Sequence, residues 1–395
     1  MKILLTGYTY TRNNLFEVFD SYPEKQNLYF ILPNNWKEKK GKVIYKPMEK
    51  EGFNIWHSRA FFFHSHYPII GGLFKGWMPF FIFRFIKLRF TVGIDILYTT
   101  GEINHLGTMY NAIWAKLLGV KHICNCWDNV PYEQKDQGMK LRLKRWIVRT
   151  NLALSDGMLC GIHKAEEMMR RFDKDITIGT FLHAGFNENR FRPDLEPFFR
   201  KKLGLENKFI FLFVGALGYR KGIHLAIEAL SQIRVHYPDT NFLVVGSGEY
   251  ESELKEQVRC FNMGDVVSFI PWMDNKDLPS VFCSSDVFLY PSFPYKNWEE
   301  QFGYSIAEAS LCGLPVISTH SGSIYEVLQD SKTGIMVEPN NAKALQQAME
   351  IFINDRELAK KMGINGREFI INNFSNTIIA QKLYNLFRDV YSCSD

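Results

Sequence analysis

The chain has 395 residues, of which 46% are hydrophobic and 23% are charged. These proportions are typical of a soluble globular protein, and they exclude a disordered chain, a collagen and a coiled coil. Lys and Arg number 47 against 42 Asp and Glu, so the net charge is only +5, which is too small to indicate nucleic-acid binding. At about 150 residues per domain, the length predicts two or three domains.

The cysteines and the apolar runs indicate the compartment. Seven cysteines are scattered without paired spacing, which argues against a disulfide framework and for a reducing environment. Cys124 and Cys126 fall in an apolar run and are predicted to be strand residues. No run reaches the roughly 18 apolar residues of a membrane span, and the apolar stretch after Met1 is too short for a signal peptide. We therefore expect a cytoplasmic protein that contacts a membrane only from the side.

Apolar runs of strand length alternate with amphipathic helical segments along the chain, which predicts an α/β fold with parallel sheets. A first strand is predicted over residues 2–7. A second start comes at residues 209–215, F-I-F-L-F-V-G, which are apolar on both faces as in a central parallel strand. Residues 187–208, rich in Arg, Lys, Pro and Glu, are predicted to be a linker. The predicted domains are residues 1–190 and 191–375, followed by a C-terminal helix over 376–395 that returns to the first domain.

The second half of the chain has the more regular pattern. Its strands are predicted over residues 209–215, 241–246, 266–270, 286–291 and 315–318. Its helices are predicted over residues 224–233, 304–312, 342–352, 357–369 and 377–391.

The run E-Q-F-G-Y-S-I-A-E at residues 300–308 places one carboxylate on each side of a predicted helix start. Backbone N–H groups of Phe302, Gly303 and Tyr304 would lie at that N-terminus, where the helix dipole favours an anion such as a nucleotide diphosphate. Glu300 would then hydrogen-bond a sugar hydroxyl, and Glu308 a ribose diol. Alternatively, Glu300 caps the helix and Glu308 faces solvent, and the spacing alone leaves both interpretations open.

Further motifs surround this run and form a specific set with it. They are Y-P-S at 290–292, G-L-P-V-I at 313–317, G-x-x-x-E at 322–326, F-V-G-A-L-G-Y-R-K-G at 213–222 and V-G-S-G at 245–248. The set resembles the nucleotide-sugar site of the family-four retaining glycosyltransferases of the GT-B fold. The resemblance covers residues 185–375 well and the N-terminal half in outline. It implies two Rossmann-like domains with the active site in the cleft between them.

The resemblance also implies a role for each matching residue of the second domain. Glu300 would contact hydroxyls of the donor sugar, and Glu308 the donor ribose. Arg220 and Lys221 would neutralise the diphosphate leaving group, and Gly215 would let the phosphate approach the backbone. Many relatives have an arginine directly after that glycine, whereas this chain has alanine there, so Arg220 is expected to supply the charge. A solvated surface pair is the alternative for the two cations.

The N-terminal half departs further from the family pattern. Trp127 stands where the family has a histidine near the donor sugar, and its neighbour Asp128 is the candidate catalytic residue that touches the acceptor or the sugar. A turn residue before a proline is the alternative for Asp128. Glu102 and His105 follow a strand predicted over residues 94–98, at the sheet edge where α/β proteins bind ligands, and are candidates for acceptor binding. A structural role is the alternative for both.

Asp173 and Asp175 match the D-x-D motif with which metal-dependent glycosyltransferases of another fold hold Mn²⁺. The pair lies in a charged turn, R-R-F-D-K-D, before a predicted strand. We therefore interpret it as structural. We expect neither a metal nor a cofactor, since the nucleotide diphosphate sugar is a co-substrate.

Two N-terminal stretches combine apolar residues with cations and lack acids. Residues 75–90 carry four cations and several aromatic residues, and residues 140–149 carry five cations. This composition suits a membrane interface or a lipid-linked anionic acceptor. A crossover helix packed on the sheet is the alternative.

The resemblance implies a retaining, metal-independent glycosyltransferase that moves a sugar from a nucleotide diphosphate sugar to a glycan or lipid-linked acceptor. The Lys-, Asn-, Phe- and Ile-rich composition suggests a bacterial source, and we expect a role in cell-surface polysaccharide synthesis at the inner face of the membrane. Two alternatives stay open. One is a nucleotide-sugar epimerase or phosphorylase on the same fold, and the other is a non-catalytic partner of another transferase.

Overall fold

The structure, a computed structural model, describes residues 1–38, 43–45, 47–63 and 72–393. It divides into two compact units. Met1–Gly185 and Asn376–Asp395 form the first unit, and Phe186–Ser375 form the second. Each unit is built on a parallel sheet with connecting helices, so the predicted pair of Rossmann-like domains is confirmed.

The first unit alternates between strands and helices. Its strands are β1 (Ile3–Thr6), β2 (Leu28–Pro33), β3 (Trp36–Glu38), β4 (Val43–Tyr45), β5 (Asn54–Ser58), β6 (Ile96–Glu102), β7 (Lys121–Cys126), β8 (Gly157–Cys160) and β9 (Thr177–Thr180). Its helices in this part of the chain are α1 (Asn13–Phe16), α2 (Phe81–Thr91), α3 (Leu106–Leu117), α4 (Tyr132–Lys135), α5 (Gly138–Ala153) and α6 (His163–Arg170). The strands β3 and β4 form a separate antiparallel pair.

Within the described residues, seven strands of the first unit form one sheet in the order β5-β2-β1-β6-β7-β8-β9. Successive side chains of a strand point to opposite faces. Leu97 of β6 therefore packs in a core with Phe81 and Phe85 of α2 on one face. The next residue, Tyr98, packs on the other face against Phe387, with 5.6 Å between ring centroids. Both faces are covered, which explains the continuous apolar runs of these strands.

The second unit follows the same alternation. Its strands are β10 (Phe209–Val214), β11 (Thr240–Val245), β12 (Val267–Ile270), β13 (Val287–Tyr290), β14 (Val316–Thr319) and β15 (Gly334–Val337). Its helices are α7 (Phe198–Lys202), α8 (Ile223–Ile233), α9 (Glu251–Cys260), α10 (Leu278–Cys283), α11 (Tyr304–Leu311), α12 (Ala342–Asn354) and α13 (Arg356–Phe374). The next helix, α14 (Asn376–Ser392), belongs to the first unit.

The sheet of the second unit has the order β12-β11-β10-β13-β14-β15 in the described part of the chain. Every residue of β10 is buried, as its apolar sequence predicts. The chain runs outward from β10 to β12, returns to β13 and then runs outward in the opposite direction. β10 and β13 are therefore neighbours where the direction of winding reverses, and this is the place where open α/β sheets bind ligands.

The segment over residues 187–208 is not the plain linker that its composition predicts. It contains the short helix α7, in which Phe199 is buried. The backbone N–H of Phe199 donates a hydrogen bond of 3.0 Å to Oγ of Ser284. Apolar packing and this hydrogen bond hold a charged segment against the second unit.

The strand predicted over residues 94–98 is also longer in the structure. It is β6, which continues to Glu102 because the pairing register shifts after Tyr98 and then resumes between Glu102 and Asn125 of β7. Glu102 is therefore the last residue of a strand, whereas the sequence places it in the following loop.

The apolar runs of the sequence are accounted for by strands and packed helices. Cys124 and Cys126 are buried in β7, which confirms their prediction as strand residues. The stretch over residues 75–90 contains most of α2, whose Phe85 and Leu88 are buried against the sheet. Among the helices that the structure describes, none is both long and apolar enough to cross a bilayer.

Candidate active site

The carboxyl ends of β10 and β13 bring two loops of the second unit together. Residues 215–222 follow β10, and residues 291–303 follow β13. Lys221 ends a 3-10 turn in the first loop and is buried. Its Nζ donates hydrogen bonds of 2.6 Å to the hydroxyl of Tyr290 and 2.7 Å to Oε2 of Glu300. The Lys221–Glu300 ion pair thus joins the two loops where the winding of the sheet reverses.

The Lys221–Glu300 pair is buried and surrounded by hydrogen-bonding groups. Glu300 is 7% exposed, and its Oε2 also accepts a hydrogen bond of 2.9 Å from Oγ of Ser292. Desolvation lowers the pKa of Lys221, while the attraction of Glu300 opposes that shift. Burial raises the pKa of Tyr290 well above its ordinary value, so its phenol is neutral. Several hydrogen bonds therefore hold a desolvated ion pair in one geometry.

Arg220, the residue before Lys221, has a different neighbour. Its guanidinium lies over the indole of Trp298, with Cζ 3.4 Å from the ring centroid. This cation–π stack fixes the plane of the guanidinium. Among the described residues, Nη1 of Arg220 is buried and has no hydrogen-bond partner, which costs free energy unless an acceptor binds. The same indole ring lies 5.4 Å from Nζ of Lys221, so Trp298 is beside both cations.

Two glycines allow the loops of this site to approach closely. Gly222 has a φ of +69°, and a Cβ atom there would collide with the carbonyl oxygen of Pro291. Gly322 has a φ of +60°, and a Cβ atom there would collide with the backbone of Glu300. Both positions therefore require glycine for conformation and for space. A larger residue at either position would displace a loop that carries Lys221 or Glu300.

Helix α11 begins directly after the Glu300 loop. Gly303 is its N-cap, with a φ of +88°, and among the described residues no side chain caps this terminus. The ring of Phe302 packs against Phe186 and Phe374, at 6.3 and 5.1 Å between centroids, so Phe302 offers only its backbone to a ligand. Tyr304, the first helical residue, is exposed. The end of α11 at which the dipole favours an anion therefore lies next to Glu300.

Glu308 lies about one turn further along α11, in a second set of contacts. Its Oε1 accepts a hydrogen bond of 3.1 Å from Nδ2 of Asn275, whose Oδ1 accepts one of 3.1 Å from Nη1 of Arg190. Burial raises the pKa of Glu308 to about 7, although Asn275 and Arg190 partly oppose the shift. The side chain is therefore engaged with the protein, unlike the solvent-facing alternative that the sequence left open.

The predicted donor residues thus fall into two groups in the second unit. Lys221 and Glu300 are in direct contact, and Arg220 stacks on the ring of Trp298, which also lies beside Lys221. Gly215 follows the last residue of β10, at the start of the Lys221 loop, and its N–H donates to the carbonyl oxygen of Val245 at 3.0 Å. Phe302, Gly303, Tyr304 and Glu308 lie on or before α11.

The first unit has a similar edge at the carboxyl ends of β1 and β6, where its strand order also reverses. Glu102 ends β6, and its Oε2 accepts a hydrogen bond of 3.1 Å from the N–H of Trp127. Oδ2 of Asp128 accepts a hydrogen bond of 3.0 Å from Nδ2 of Asn104, and Oδ1 of Asp128 forms an ion pair with Nζ of Lys135 at 2.7 Å. Burial, followed by the charge of Asp128, raises the pKa of Glu102 to about 8. The structure therefore brings Glu102 and Asp128 together.

His105 is buried at the N-cap of α3. Desolvation lowers its pKa to about 3, so its imidazole is neutral at physiological pH. Among the described residues, Nδ1 of His105 has no hydrogen-bond partner. The side chain lines a narrow cleft with Tyr8, Lys75 and Trp77. A neutral imidazole with an unsatisfied nitrogen can hydrogen-bond a hydroxyl group of a ligand there.

The sequence resemblance implies a histidine at the position of Trp127, and the structure shows what the ring of Trp127 does. The indole stacks on the imidazole of His183, with 4.9 Å between centroids and 25° between planes. It therefore packs inside the first unit, and its backbone N–H is the group that reaches Glu102.

Asp173 and Asp175 lie in a turn before β9. Oδ1 of Asp173 accepts hydrogen bonds from the N–H groups of Asp175 at 3.0 Å and Ile176 at 3.3 Å. This carboxylate thus closes the turn. In the described part of the chain, no three His, Cys, Asp or Glu side chains are grouped in a way that suits a metal ion.

Several residues of these sites are not among the sequence predictions. Trp298, Asn275 and Arg190 contact predicted residues only through the fold, and no local spacing marks them. Tyr290 and Ser292 belong to the Y-P-S motif, so the sequence marks their position but assigns them no role. The structure gives both a role as partners of the Lys221–Glu300 pair.

Comparison with known proteins shows that most of the second unit is similar to a recognised domain family. Residues 196–369 match the family model described as Glycosyl transferases group 1. A GDP-mannose-dependent alpha-(1-6)-phosphatidylinositol monomannoside mannosyltransferase of Mycolicibacterium smegmatis is 30% identical over 197 residues, 49% of this chain and 52% of that protein. A D-inositol 3-phosphate glycosyltransferase of Arthrobacter sp. is 29% identical over 205 residues, 51% of this chain and 48% of that protein. The chain spans about half the length of the curated relatives it matches.

The chain as a whole is similar to solved structures at lower sequence identity. Alr3699/HepE of Anabaena, solved in complex with UDP, has a TM-score of 0.75 at 18% identity, covering 98% of this chain and 100% of that one. Sucrose-phosphate synthase from Thermosynechococcus elongatus has a TM-score of 0.73 at 20% identity, covering 100% of both chains. At such identities the similarity shows the fold alone. The predicted fold, two Rossmann-like domains of the GT-B type, is confirmed, and residues 196–369 of the second unit match the group 1 glycosyltransferase model.

Proposed function

We propose that the chain is a glycosyltransferase that moves a sugar from a nucleotide diphosphate sugar, bound by the second unit, to an acceptor bound by the first. The observation that carries this proposal is the pair of adjacent cations where the winding of the sheet reverses. Lys221 is paired with Glu300, and Arg220 is stacked on Trp298 with Nη1 unsatisfied. The match to the group 1 family supports the proposal because residues 196–369 contain all four residues.

In this proposal the two cations and the N-terminus of α11 stabilise negative charge on the leaving diphosphate. Electrostatic stabilisation of developing charge is commonly the largest single contribution to an enzymatic rate. Arg220 offers an unsatisfied donor to a phosphate oxygen. Glu300 contacts hydroxyls of the donor sugar and keeps Lys221 in place. Glu308 binds the ribose diol.

We further propose that transfer proceeds with retention at the anomeric carbon and without a metal ion. The acceptor hydroxyl attacks from the face that the leaving group occupies. The bond from the anomeric carbon to the diphosphate oxygen breaks, the bond to the acceptor oxygen forms, and a phosphate oxygen takes the hydroxyl proton. This course needs no nucleophile from the protein. It needs cations at the phosphate, and Arg220 and Lys221 supply them.

The proposed acceptor is a glycan or a lipid-linked acceptor in bacterial cell-surface polysaccharide synthesis, on the cytoplasmic side of the membrane. Asp128, Glu102 and His105 are its candidate contacts at the end of β6. A carboxyl group with a pKa of about 8 is mostly protonated at neutral pH, so Glu102 can donate a hydrogen bond to an acceptor hydroxyl. One relative is named for a lipid acceptor, a phosphatidylinositol monomannoside, which supports this class.

Thermal-shift measurements with UDP, GDP and their sugars test the donor site. We expect one nucleotide diphosphate to stabilise the fold by about 2.7 kcal/mol at a concentration of about 100 times its Kd. Arg220→Gln should remove most of this shift. Arg259→Gln is the matched control, because Arg259 is exposed on α9 and pairs with Glu256 of the same helix. The thermal shift of this variant should equal that of the unmodified chain.

Mass spectrometry of the products then identifies the reaction, and NMR coupling at the anomeric proton gives the configuration of the product. A new glycoside, with the anomeric configuration of the donor, is the expected product. A donor that is consumed without forming any acceptor glycoside would favour an epimerase or phosphorylase. No stabilisation by any nucleotide diphosphate would contradict the proposed donor site.

A further inference from the structure

Three helices of the first unit, α2, α3 and α5, contain no acidic residue. They carry three, one and five Lys or Arg residues respectively. The chain as a whole has 42 acidic residues among 395, so their absence from three helices is a strong local asymmetry of charge. We call the exposed residues of α2, α3 and α5 the three-helix face.

The three helices lie on one face of the seven-stranded sheet. α2 and α3 share a hydrophobic core with that sheet, and the ring of Phe81 in α2 lies 5.9 Å from Tyr110 in α3. α3 connects β6 to β7 and α5 connects β7 to β8, so right-handed crossovers place both on the same face. Nδ2 of Asn151 in α5 donates to the carbonyl oxygen of His105, at the start of α3. The three helices therefore form one layer on the same side of the sheet.

Large apolar side chains are exposed on this surface at helical spacing. They are Phe80 at the N-cap of α2, Phe83 and Phe90 of α2, Ile113 and Leu117 of α3, and Met139, Leu143 and Trp146 of α5. Among the described residues, these are eight of the twenty exposed large hydrophobic side chains. Phe90 is 78% exposed and Met139 is 86% exposed. Each helix thus has an outward apolar stripe in addition to the stripe that is buried against the sheet.

The cations of this region differ in their availability. Arg89 donates to the carbonyl oxygens of Ile94 and Leu118, and Lys75 lies 4.8 Å from the ring of Tyr8. These two residues of the 75–90 stretch are therefore structural, although the sequence counted them with the surface cations. In α5, Lys140 and Lys144 pair with Asp136, and Arg145 pairs with Glu133. The other exposed cations of the face are Arg84, Lys87, Lys116, Arg142 and Arg149.

We infer that the three-helix face docks on an anionic lipid bilayer. Cations interleaved with exposed aromatic and aliphatic side chains match the headgroup region, where cations meet lipid phosphates and apolar side chains enter the acyl boundary. A polyanion such as nucleic acid would neutralise the cations but would leave the apolar stripes in water. The inference goes beyond sugar transfer and does not depend on it.

Flotation of the full chain with vesicles tests the inference. We expect binding to phosphatidylcholine vesicles that contain phosphatidylglycerol and little binding to phosphatidylcholine alone. Binding should weaken at high salt, because the Debye length shortens from about 10 Å at 0.1 M to about 3 Å at 1 M. Failure of the chain to float with the anionic vesicles at low salt would overturn the inference.

Two variants separate the contribution of charge from that of apolar contact. The first variant combines three substitutions that remove exposed cations: Lys87→Gln, Arg142→Gln and Arg149→Gln. It should weaken vesicle binding by about 100-fold. Phe83→Ser with Phe90→Ser and Trp146→Ser should weaken it by at least about tenfold through lost apolar insertion. A control variant in the second unit removes the same charge from exposed positions by Lys332→Gln, Lys360→Gln and Lys361→Gln. This second-unit control should leave vesicle binding unchanged.

The outcomes distinguish lipid from other partners. Equal loss in the second-unit control would show a non-specific charge effect and would overturn the inference. Two results together would identify a polyanion site instead. The serine variant would bind vesicles as well as the unmodified chain does, and the glutamine variant of Lys87, Arg142 and Arg149 would bind neither vesicles nor heparin. The nucleotide-induced thermal shift, measured in parallel, should be the same in all three variants, so failure of the membrane inference is separate from failure of the proposed donor site.

Discussion

At the residue scale, both candidate sites hold charged groups that are removed from water, and their pKa values reflect this. Burial raises the pKa of Glu308 to about 7 and that of Glu102 to about 8, and it lowers the pKa of Lys221. In each case desolvation disfavours the charged form. A ligand that supplies hydrogen bonds or the opposite charge removes part of this cost, which is why such groups collect at binding sites.

Glu308 should make stability depend on pH. Its folded pKa of about 7 exceeds the ordinary value of 4.5. Between these values the folded chain binds a proton that the unfolded chain has released, so the free energy of unfolding should fall as pH rises through this window. Glu308→Gln should remove that fall, as measured by urea unfolding at several pH values.

Glu308→Ala should weaken nucleotide diphosphate binding by about 1–3 kcal/mol, because a charged hydrogen bond to the ribose is lost.

Glu253→Ala, at an exposed position of α9, is the control for this effect and should bind the nucleotide like the unmodified chain. A folded Glu308→Ala variant with unchanged nucleotide affinity would remove Glu308 from the ribose site.

The sequence predicts some residues of the donor site and misses others for a physical reason. Glu300 and Glu308 lie in one short motif around a helix start, so their chemistry can be inferred locally. Trp298 contacts Arg220, and Asn275 contacts Glu308. The partners of each pair lie far apart in the sequence and meet only in the fold, so no sequence periodicity predicts these contacts.

At the element scale, the Lys221–Glu300 ion pair ties the loop after β10 to the loop before α11. Gly222 lets these two loops approach without a side chain between them, and Gly322 lets the loop after β14 approach the backbone of Glu300 in the same way. The pair is therefore both a candidate catalytic feature and a structural connection between two strand ends. Its two roles can be separated by measuring stability without ligand.

A double-mutant cycle measures that connection. Lys221→Met leaves Glu300 as a buried, unpaired carboxylate and should destabilise the fold by about 3–5 kcal/mol. Adding Glu300→Gln should recover part of this loss, so the two substitutions should couple by about 1–3 kcal/mol in urea unfolding. The exposed pair Lys255 and Glu251 on α9, 2.6 Å apart, is the control and should couple by about 0.5 kcal/mol or less. Additive effects at Lys221 and Glu300 would show that the loops do not depend on their ion pair.

The elements themselves are predictable where one pattern dominates. β10 is apolar on both faces, and α11 begins after a glycine. The sequence therefore predicts the first and last residues of both elements to within about two residues. Helix α7 is missed because its short, charged sequence lacks a period, and burial of Phe199 stabilises it. The end of β6 is missed because a shift of register cannot be read from the alternation of side chains.

At the scale of the whole molecule, we predict that sugar transfer needs no divalent metal ion, because Arg220 and Lys221 supply positive charge at the proposed diphosphate site. Activity measured after EDTA treatment and gel filtration should equal that of the untreated chain. Complete loss that Mn²⁺ or Mg²⁺ restores would contradict this prediction and would point to Asp173 and Asp175 as ligands.

The two units differ in how the chain builds them. The second is one continuous segment whose ends meet, since the N–H of Phe186 donates to the carbonyl oxygen of Phe374 at 2.9 Å. The first is interrupted, and its sheet is covered on one face by α14, with Leu383, Phe387 and Val390 buried. A ribosome therefore delivers residues 1–185 without this cover and translates the entire second unit before α14 emerges. During that interval the apolar surface that later receives Phe387 is open to chaperones and to other nascent chains.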